Sequence, residues 1–422
     1  MDSEIHRAIH AVWSIESARV IASLARIVRD LGLAEELAQD ALLAALEQWP
    51  EQGIPDNPAA WLMTAAKHRA INTLRRGKML ERKHDELGYE LEAQREPQRL
   101  IEQLENALDD DVGDDLLRLI FTSCHPVLNT EARVALTLRL LGGLTTDEIA
   151  RAFLVPEPTI AQRIVRAKKT LSEKQVPYEV PRGEELSPRL RSVLEVVYLI
   201  FNEGYLATTG DDYLRPALCE EALRLGRVLS VLAPDEPEVH GLVALMELNA
   251  SRAGARTTAT GEPILLLEQD RGRWDQLLIR RGLAALATAE ALGRAPGPYV
   301  LQAGITACHA RARVAEDTDW QRIAALYGEL SALIKSPVVE LNRAVAVSMA
   351  EGPAAGLALA DALLSEPSLR HYHLLPSARA EFLEKLGRFD EARTEFERAA
   401  LMTQNARQRE QLLKRARSSG AS

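Results

Sequence analysis

Residues 144–174 read LTTDEIARAFLVPEPTIAQRIVRAKKTLSEK, and this stretch predicts two short helices joined by a tight turn. The first helix is predicted over Thr146–Phe153, with Thr146 as its N-cap. Pro158 suits the first turn of the second helix, where its missing N–H costs little. The apolar residues of the second helix recur at helical spacing: Ile160, Ile164, Ala167 and Leu171. The pattern is typical of a helix-turn-helix.

The opposite face of this second helix is basic. Its cations are left for solvent or for phosphate: Arg163, Arg166, Lys168, Lys169 and Lys174. Such a helix is suited to the major groove of DNA. The alternative is an ordinary helical hairpin whose basic face is only solvated.

The composition of the chain limits its possible fold class and location. Of its 422 residues 46% are hydrophobic and 5% aromatic, which predicts an all-α fold with sizeable cores. No apolar run reaches the length of a membrane span, and the N-terminus lacks the apolar region of a signal peptide. The three scattered cysteines predict neither a disulfide framework nor a metal site. We therefore expect a cytoplasmic protein without a cofactor or a metal.

The net charge of −10 is unevenly distributed. Trp61–Lys83 holds seven lysines and arginines and one acid, and Glu157–Lys174 holds five against two. Between them, Asp85–Asp115 holds twelve acids and two arginines. Two basic segments separated by an acidic one predict local phosphate-binding surfaces, which the overall charge does not exclude.

Three helices are predicted before the acidic segment. Ile5–Val28 forms a helix or a helix pair, Leu33–Trp49 a second helix closed by Pro50, and Ala59–Arg76 a third. The second helix is amphipathic and has an acidic outer face: Glu35, Glu36, Gln39, Asp40 and Glu47.

The runs GLAEELAQDALLAALEQWP (32–50) and NPAAWLMTAAKHRAINTLRR (57–76), together with the helix-turn-helix, carry a family resemblance. Residues 5–83 and 115–175 resemble the two modules of a group 4, or extracytoplasmic-function (ECF), sigma factor of the sigma-70 family. The resemblance implies the β′ clamp and β flap of core RNA polymerase and promoter DNA as partners. It implies no catalysis, because bond formation belongs to the polymerase.

The resemblance also implies roles for individual residues. The first run resembles the helix that docks on the polymerase clamp, through Glu35, Glu36, Gln39 and Asp40. The second resembles the segment that melts and reads the −10 element, through Asn57, Trp61, Lys67, Arg69, Asn72, Arg75 and Arg76. The helix-turn-helix resembles the module that reads the −35 element, through Pro158, Thr159, Gln162, Arg163, Arg166 and Lys169. Melting requires a pocket for an unstacked base, which the loop Ile54–Asn57 could provide.

Residues 189–422 are predicted to form a long helical extension. The run LEKLGRFDEARTEFERAALM (383–402) resembles the second half of a tetratricopeptide repeat, and Gly352 lies 35 positions before Gly387. Four runs resemble the tetratricopeptide-like extension of one ECF sub-group: FNEGY (201–205), EQDRGRWD (268–275), GPYVLQAGITACHA (297–310) and PVVELNRAVAV (337–347). These runs suggest a functional surface of Asn202, Glu203, Tyr205, Arg273, Trp274, Asn342 and Arg343. The alternative is that they only cap helices and bond helices to one another.

The expected organisation has five segments: a docking and −10 module at 1–84, an acidic linker at 85–114, the helix-turn-helix module at 115–178, a second linker at 179–188, and the extension. The resemblance implies that the extension regulates the modules by intramolecular contact, and that no dedicated anti-sigma partner is needed. The alternative function is a one-component regulator that couples a helix-turn-helix to a repeat-type sensor. An enzyme is not expected: Cys124-His125 and His371-Tyr372-His373 are the nearest approach to a reactive or ligating cluster, and neither has partners at a useful spacing.

Overall fold

The computed structural model of the protein describes residues 2–84, 112–153, 155–205, 216–258, 264–403 and 406–419. The chain divides into two compact units, Met1–Leu232 and Ala233–Ser422. Within the described ranges every regular element is a helix, so the all-α prediction is confirmed. None of the described helices is long and apolar enough to cross a membrane. Most of the predicted acidic linker lies outside the described residues.

The first unit begins with three helices that pack against one another. They are α1 (Asp2–Val28), α2 (Leu31–Gln52) and α3 (Pro58–His84). Leu24, Trp49 and Leu62 are nearly fully buried between them. The expectation that Pro50 closes the second helix is wrong. The helix continues to Gln52 and ends at Gly53, whose N–H donates to the Trp49 carbonyl (2.9 Å).

Four further helices form the helix-turn-helix module. They are α4 (Val112–Ser123), α5 (Thr130–Leu140), α6 (Thr146–Phe153) and α7 (Glu157–Glu173). The N-cap of α6 is Thr145 rather than Thr146, because Thr145 and Glu148 form a reciprocal capping box. The backbone N–H of Thr145 donates to the Glu148 carboxylate (2.8 Å), and this bond lowers the pKa of Glu148.

Two helices of the extension belong to this same unit. They are α8 (Leu186–Tyr205) and α9 (Pro216–Leu232), and both pack on α4. The buried Arg133 of α5 donates to Ser192 and Glu195 of α8, and Ser192 donates in turn to the Cys124 carbonyl. The compact unit therefore continues well past residue 189, where we expected the extension to begin.

The second unit is a succession of helices that pack on near neighbours along the chain. They are α10 (Pro237–Ala250), α11 (Gln276–Ala291), α12 (Pro298–Arg311), α13 (Trp320–Leu333), α14 (Pro337–Glu351), α15 (Pro353–Ala362), α16 (Leu374–Lys385), α17 (Phe389–Met402) and α18 (Ala406–Ser418). Gly352 and Gly387 stand between consecutive helices with φ of 106° and 74°, a conformation that glycine adopts without strain. Ala392, Phe396 and Ala399 are completely buried, whereas Phe389 is 41% exposed.

Candidate nucleic-acid interface

Helix α7 has the two faces that its sequence predicts. Ile160, Ile164, Ala167 and Leu171 are buried against the rest of the module. Pro158, Gln162 and Arg166 are exposed on the other side, and Thr159 is half-buried. A polar and basic face is thus available on the second helix of the motif, which is the geometry that a helix entering the major groove requires.

The cations of α7 differ in what they contact. Arg163 forms an ion pair with Glu131 of α5 (2.6 Å) and keeps 29% of its side chain exposed. Lys169 is 71% exposed and lies 3.6 Å from Glu173. Lys168 forms an ion pair with Glu35 of α2, so the expectation that it is left for solvent or phosphate is wrong. The cause is a tertiary contact between the two modules.

Helix α3 presents a mixture of core and surface residues. Trp61 lies edge-on to Trp49, with ring centroids 5.4 Å apart and an interplanar angle of 73°. Asn57 accepts a hydrogen bond from the backbone N–H of Ala60 (3.1 Å), which makes it a cap of this helix. Asn72 and Arg75 are exposed, whereas Lys67 and Arg69 are half-buried. The side chain of Arg76 lies outside the described residues.

A contact with the second module buries part of the acidic face of α2 and leaves the rest exposed. Glu36 and Asp40 are exposed, and Gln39 is half-buried. Glu35 is only 6% exposed, so the expectation that it lies on the outer face is wrong. One carboxylate oxygen accepts hydrogen bonds from Arg139 Nε (2.6 Å) and Gln39 Nε2 (3.0 Å), and the other accepts one from Lys168. Arg139 and Lys168 satisfy the buried charge, which explains why Glu35 faces inward.

A second polar cluster joins the two modules near the end of α1. Arg26 of α1 pairs with Asp115 of α4 (3.0 Å), and the Tyr178 hydroxyl donates to the backbone carbonyls of Ala22 (2.9 Å) and Asp115 (3.1 Å). Burial raises the pKa of Tyr178 well above its usual value, so the phenol keeps its proton to a higher pH than a solvated tyrosine does. Burial also raises the pKa of Asp115, against the opposing effect of its two arginine partners Arg26 and Arg118.

The predicted surface of the extension is divided between the two units. Asn202, Glu203 and Tyr205 end α8 in the first unit, where Tyr205 is buried and stacked on Phe201 at 5.4 Å. The others lie in the second unit, where Asn342 and Arg273 are exposed and Arg343 pairs with Glu340. Trp274 is buried beneath Arg271, whose guanidinium lies 4.9 Å from the ring centroid. The contacts of Tyr205 and Trp274 favour the alternative in which these residues only hold helices together, rather than form a functional surface.

Cys124 and His125 have the environment of structural residues. Cys124 is buried beside Thr137 (3.3 Å), and burial raises the pKa of its thiol to about 11. A nucleophilic cysteine needs the opposite shift. Burial, with a smaller effect of Arg189, lowers the pKa of His125 to about 4. In the described ranges no group of three or more histidine, cysteine or acidic side chains could hold a metal ion.

Comparison with known proteins assigns both modules. Residues 16–79 match the model of sigma-70 region 2, and residues 118–171 match that of sigma-70 region 4. This chain belongs to the sigma-70 family. The sigma factor therefore binds RNA polymerase and promoter DNA, through region 2 (α1–α3) and region 4 (α4–α7). Residues 189–290 match a family of unknown function (DUF6596).

One relative is similar to this chain over nearly its whole length. The sigma factor is 43% identical over 396 residues to an uncharacterized protein, R00370, of Rhizobium meliloti (strain 1021). The alignment covers 93% of this chain and 92% of the relative, so the extension is present in both. No solved structure matches the chain.

Sequence reasoning missed Arg139 and Tyr178, which join the two modules. It also missed Arg133, which joins region 4 to α8, and Glu131, which pairs with Arg163 within region 4. Glu35 is 104 positions from Arg139 and 133 from Lys168, and no local pattern marks such a pair. One weak signal was available. Glu35 and Gln39 are separated by one helical turn, so their mutual hydrogen bond was predictable.

Proposed function

We propose that this sigma factor is of the ECF class and directs core RNA polymerase to promoters with regions 2 and 4 alone. The observation that carries the proposal is the exposed polar and basic face of α7 in the matched region 4, which follows the matched region 2 along the chain. In this proposal Gln162 and Arg163 contact base edges of the −35 element, and Arg166 and Lys169 contact phosphates. Pro158 and Thr159 lie at the DNA-facing start of the same helix.

Helix α3 and the loop before it are proposed to melt the −10 element. Ile54 is 43% exposed and Asn57 is exposed beside it, in the loop that would receive an unstacked base. Asn72 and Arg75 are exposed and so can contact the non-template strand, and Lys67 and Arg69 are partly exposed. Asn57 caps α3 and Trp61 packs on Trp49, and these contacts support a positioning role for both residues.

The extension is proposed to regulate the two modules. Its second unit is proposed to be tetratricopeptide-like, supported by the serial packing of α14–α17 and by the turn glycines Gly352 and Gly387. The packing of α8 and α9 on region 4 supports regulation by intramolecular contact. In this proposal the factor needs no dedicated anti-sigma partner. In this proposal the protein is cytoplasmic, docks on the β′ clamp and β flap, and has no contact with a membrane.

Run-off transcription with purified core polymerase tests the class of function. We expect the full chain to start transcripts at discrete sites on genomic DNA fragments. Specific duplex binding without any transcript would instead favour a one-component regulator.

Reversing the exposed charges of α2 should weaken polymerase binding. Glu36→Lys/Asp40→Lys is expected to lower affinity for core polymerase at least about tenfold, because both carboxylates face a cationic partner in the proposal. Fluorescence anisotropy of labelled protein titrated with core measures this affinity. The matched control is Glu184→Lys/Glu351→Lys, which makes the same change in net charge at exposed acids elsewhere. Equal affinities of the two double variants would remove α2 as the docking surface.

Two arginines of α7 should differ in their effect on sequence specificity. Arg163→Ala is expected to weaken binding to the cognate promoter by about 1–3 kcal/mol, the size of one bidentate base contact, and to leave unrelated DNA unaffected. Arg166→Ala is expected to weaken binding to every sequence alike and to reduce the salt dependence. Electrophoretic mobility shifts on promoter and scrambled −35 fragments measure both. A uniform loss with Arg163→Ala would assign Arg163 to phosphate instead.

A further inference from the structure

A groove runs along α12 in the second unit, and its floor is apolar. The floor consists of four buried residues: Val300, Leu301, Cys308 and Leu326. Gly304 lies between Leu301 and Cys308 on the same face of α12, and a Cβ there would lie 3.2 Å from Leu326 Cδ1. The groove has a volume of about 230 Å³, less than the roughly 300–1,000 Å³ of pockets for drug-sized molecules. Its occupant would therefore be smaller than a typical drug.

The mouth of the groove is charged. Three arginines line it: Arg294 follows α11, Arg311 ends α12, and Arg322 belongs to α13. Two carboxylates, Glu290 and Glu329, line it as well. The guanidinium groups at the mouth thus outnumber the carboxylates by one, which favours an anionic occupant.

The three arginines differ in how firmly neighbouring acids hold them. Arg294 pairs with Glu236 (3.4 Å), and Arg322 lies 3.9 Å from Glu329. The side chains of Arg322 and Glu329 are 56% and 48% exposed, and such a pair contributes little to stability, so an incoming anion can replace it. Within the part of the chain that the structure describes, no acid forms an ion pair with Arg311.

Arg311 and Arg322 both act on the thiol of Cys308 in the floor. Burial and the nearby Asp319 carboxylate raise the pKa of this thiol, and the two arginines oppose them. The thiol therefore keeps its proton to a higher pH than a solvated cysteine does. Asp319 itself caps α13, because it accepts a hydrogen bond from the backbone N–H of Arg322 (2.9 Å). One end of the groove thus combines two guanidinium groups with an uncharged floor.

We propose that this groove binds a small amphipathic carboxylate, whose apolar chain lies on the floor and whose carboxylate pairs with Arg311 and Arg322. A guanidinium group can donate two parallel hydrogen bonds to a carboxylate, a geometry that a lysine cannot offer. Burial of the chain against Leu301 and Leu326 supplies the hydrophobic part of the affinity. The proposal goes beyond the role in transcription and does not depend on it. It makes the second unit a receptor for small apolar acids.

Isothermal titration calorimetry of the full chain with sodium octanoate tests the proposal. We expect saturable binding that octylamine and octanol do not reproduce, because they carry the same chain with a cationic or an uncharged head group. Arg311→Gln should weaken octanoate binding at least about tenfold, which corresponds to roughly 1.4 kcal/mol. The matched control is Arg313→Gln, which removes the same charge at an exposed position outside the groove and should bind as wild type does.

A second pair of variants tests the floor. Gly304→Met places a flexible side chain in the groove and should abolish octanoate binding. Gly328→Met adds the same side chain in α13, where a Cβ would meet nothing within 4 Å, and should leave binding unchanged. Circular dichroism checks that both variants are folded. If Gly304→Met does not fold, the comparison of Arg311→Gln with Arg313→Gln still decides.

Four results would overturn the proposal. The first is the lack of saturable octanoate binding below the concentration at which octanoate forms micelles. The second is equal binding of octylamine or octanol, which would remove the arginines as the basis of recognition. The third is an equal effect of Arg311→Gln and Arg313→Gln. The fourth is undiminished binding to a folded Gly304→Met variant, which would place octanoate elsewhere on the protein.

Discussion

A chain that ends at residue 180 is expected to lose its cooperative fold, whereas a chain that ends at Leu232 should keep it. The shorter chain lacks α8, which packs on α4 and α5. It would also lose the hydrogen bonds that Arg133 donates to Ser192 and Glu195, and the guanidinium would be exposed to water instead. The larger loss is the apolar surface that α8 covers, which contributes about 25 cal/mol per Å² to a typical total stability of only about 5–15 kcal/mol.

Apolar exposure adds to this loss. Val193, Leu194, Val197 and Phe201 of α8 are almost fully buried, and removing the helix uncovers the surfaces of α4 and α5 beneath it. Circular dichroism during heating should give a sharp transition for 1–232 and a broad, lower one for 1–180. Binding of a hydrophobic dye should rise only in the shorter chain. Superimposable transitions would show that region 4 folds without α8.

This expectation affects how the role of the extension is measured. A comparison of full-length protein with 1–180 in transcription would mix regulation with the loss of a folded region 4. Removing only Ala233–Ser422 leaves the first compact unit whole. The chain 1–232 is therefore the appropriate truncation for asking whether the second unit activates or inhibits.

Phe396→Ala is expected to destabilise the second unit by about 3–5 kcal/mol, the cost of removing a buried ring and leaving a cavity. Phe396 is completely buried among the residues of α16–α18, and Arg415 lies 4.6 Å from its ring centroid. Urea unfolding followed by circular dichroism measures the loss in the full chain.

Phe389→Ala is the matched control, because it removes the same ring from a position that is 41% exposed in the same helix. Phe389→Ala should lower the free energy of unfolding by well under half as much as Phe396→Ala. Equal losses for the two variants would contradict the packing of α17 on its neighbours. The Phe396 variant also offers a way to disrupt the end of the second unit without truncation, so its effect on transcription can be compared with that of 1–232.

Much of the fold was predictable because its signals are local. Helix α6 has the predicted bounds Thr146–Phe153, and the predicted inward residues of α7 are all buried. Both features depend on residues three or four positions apart, a range over which side chains on a helix meet directly. Errors arose where two local signals competed. Pro50 was expected to close its helix, yet it is tolerated in the last turn before Gly53.

The amino-acid sequence by itself determined the all-α class, the helix-turn-helix, the order of the modules and their place in the sigma-70 family, because these follow from short-range periodicity, capping and motif order. Only the tertiary structure decided which charges remain available. Glu35 and Glu36 are neighbours in the same acidic run, yet one is buried against Arg139 and Lys168 while the other faces solvent. The physical reason is that a buried carboxylate is stable only where cations meet it, and those cations come from residues more than a hundred positions away.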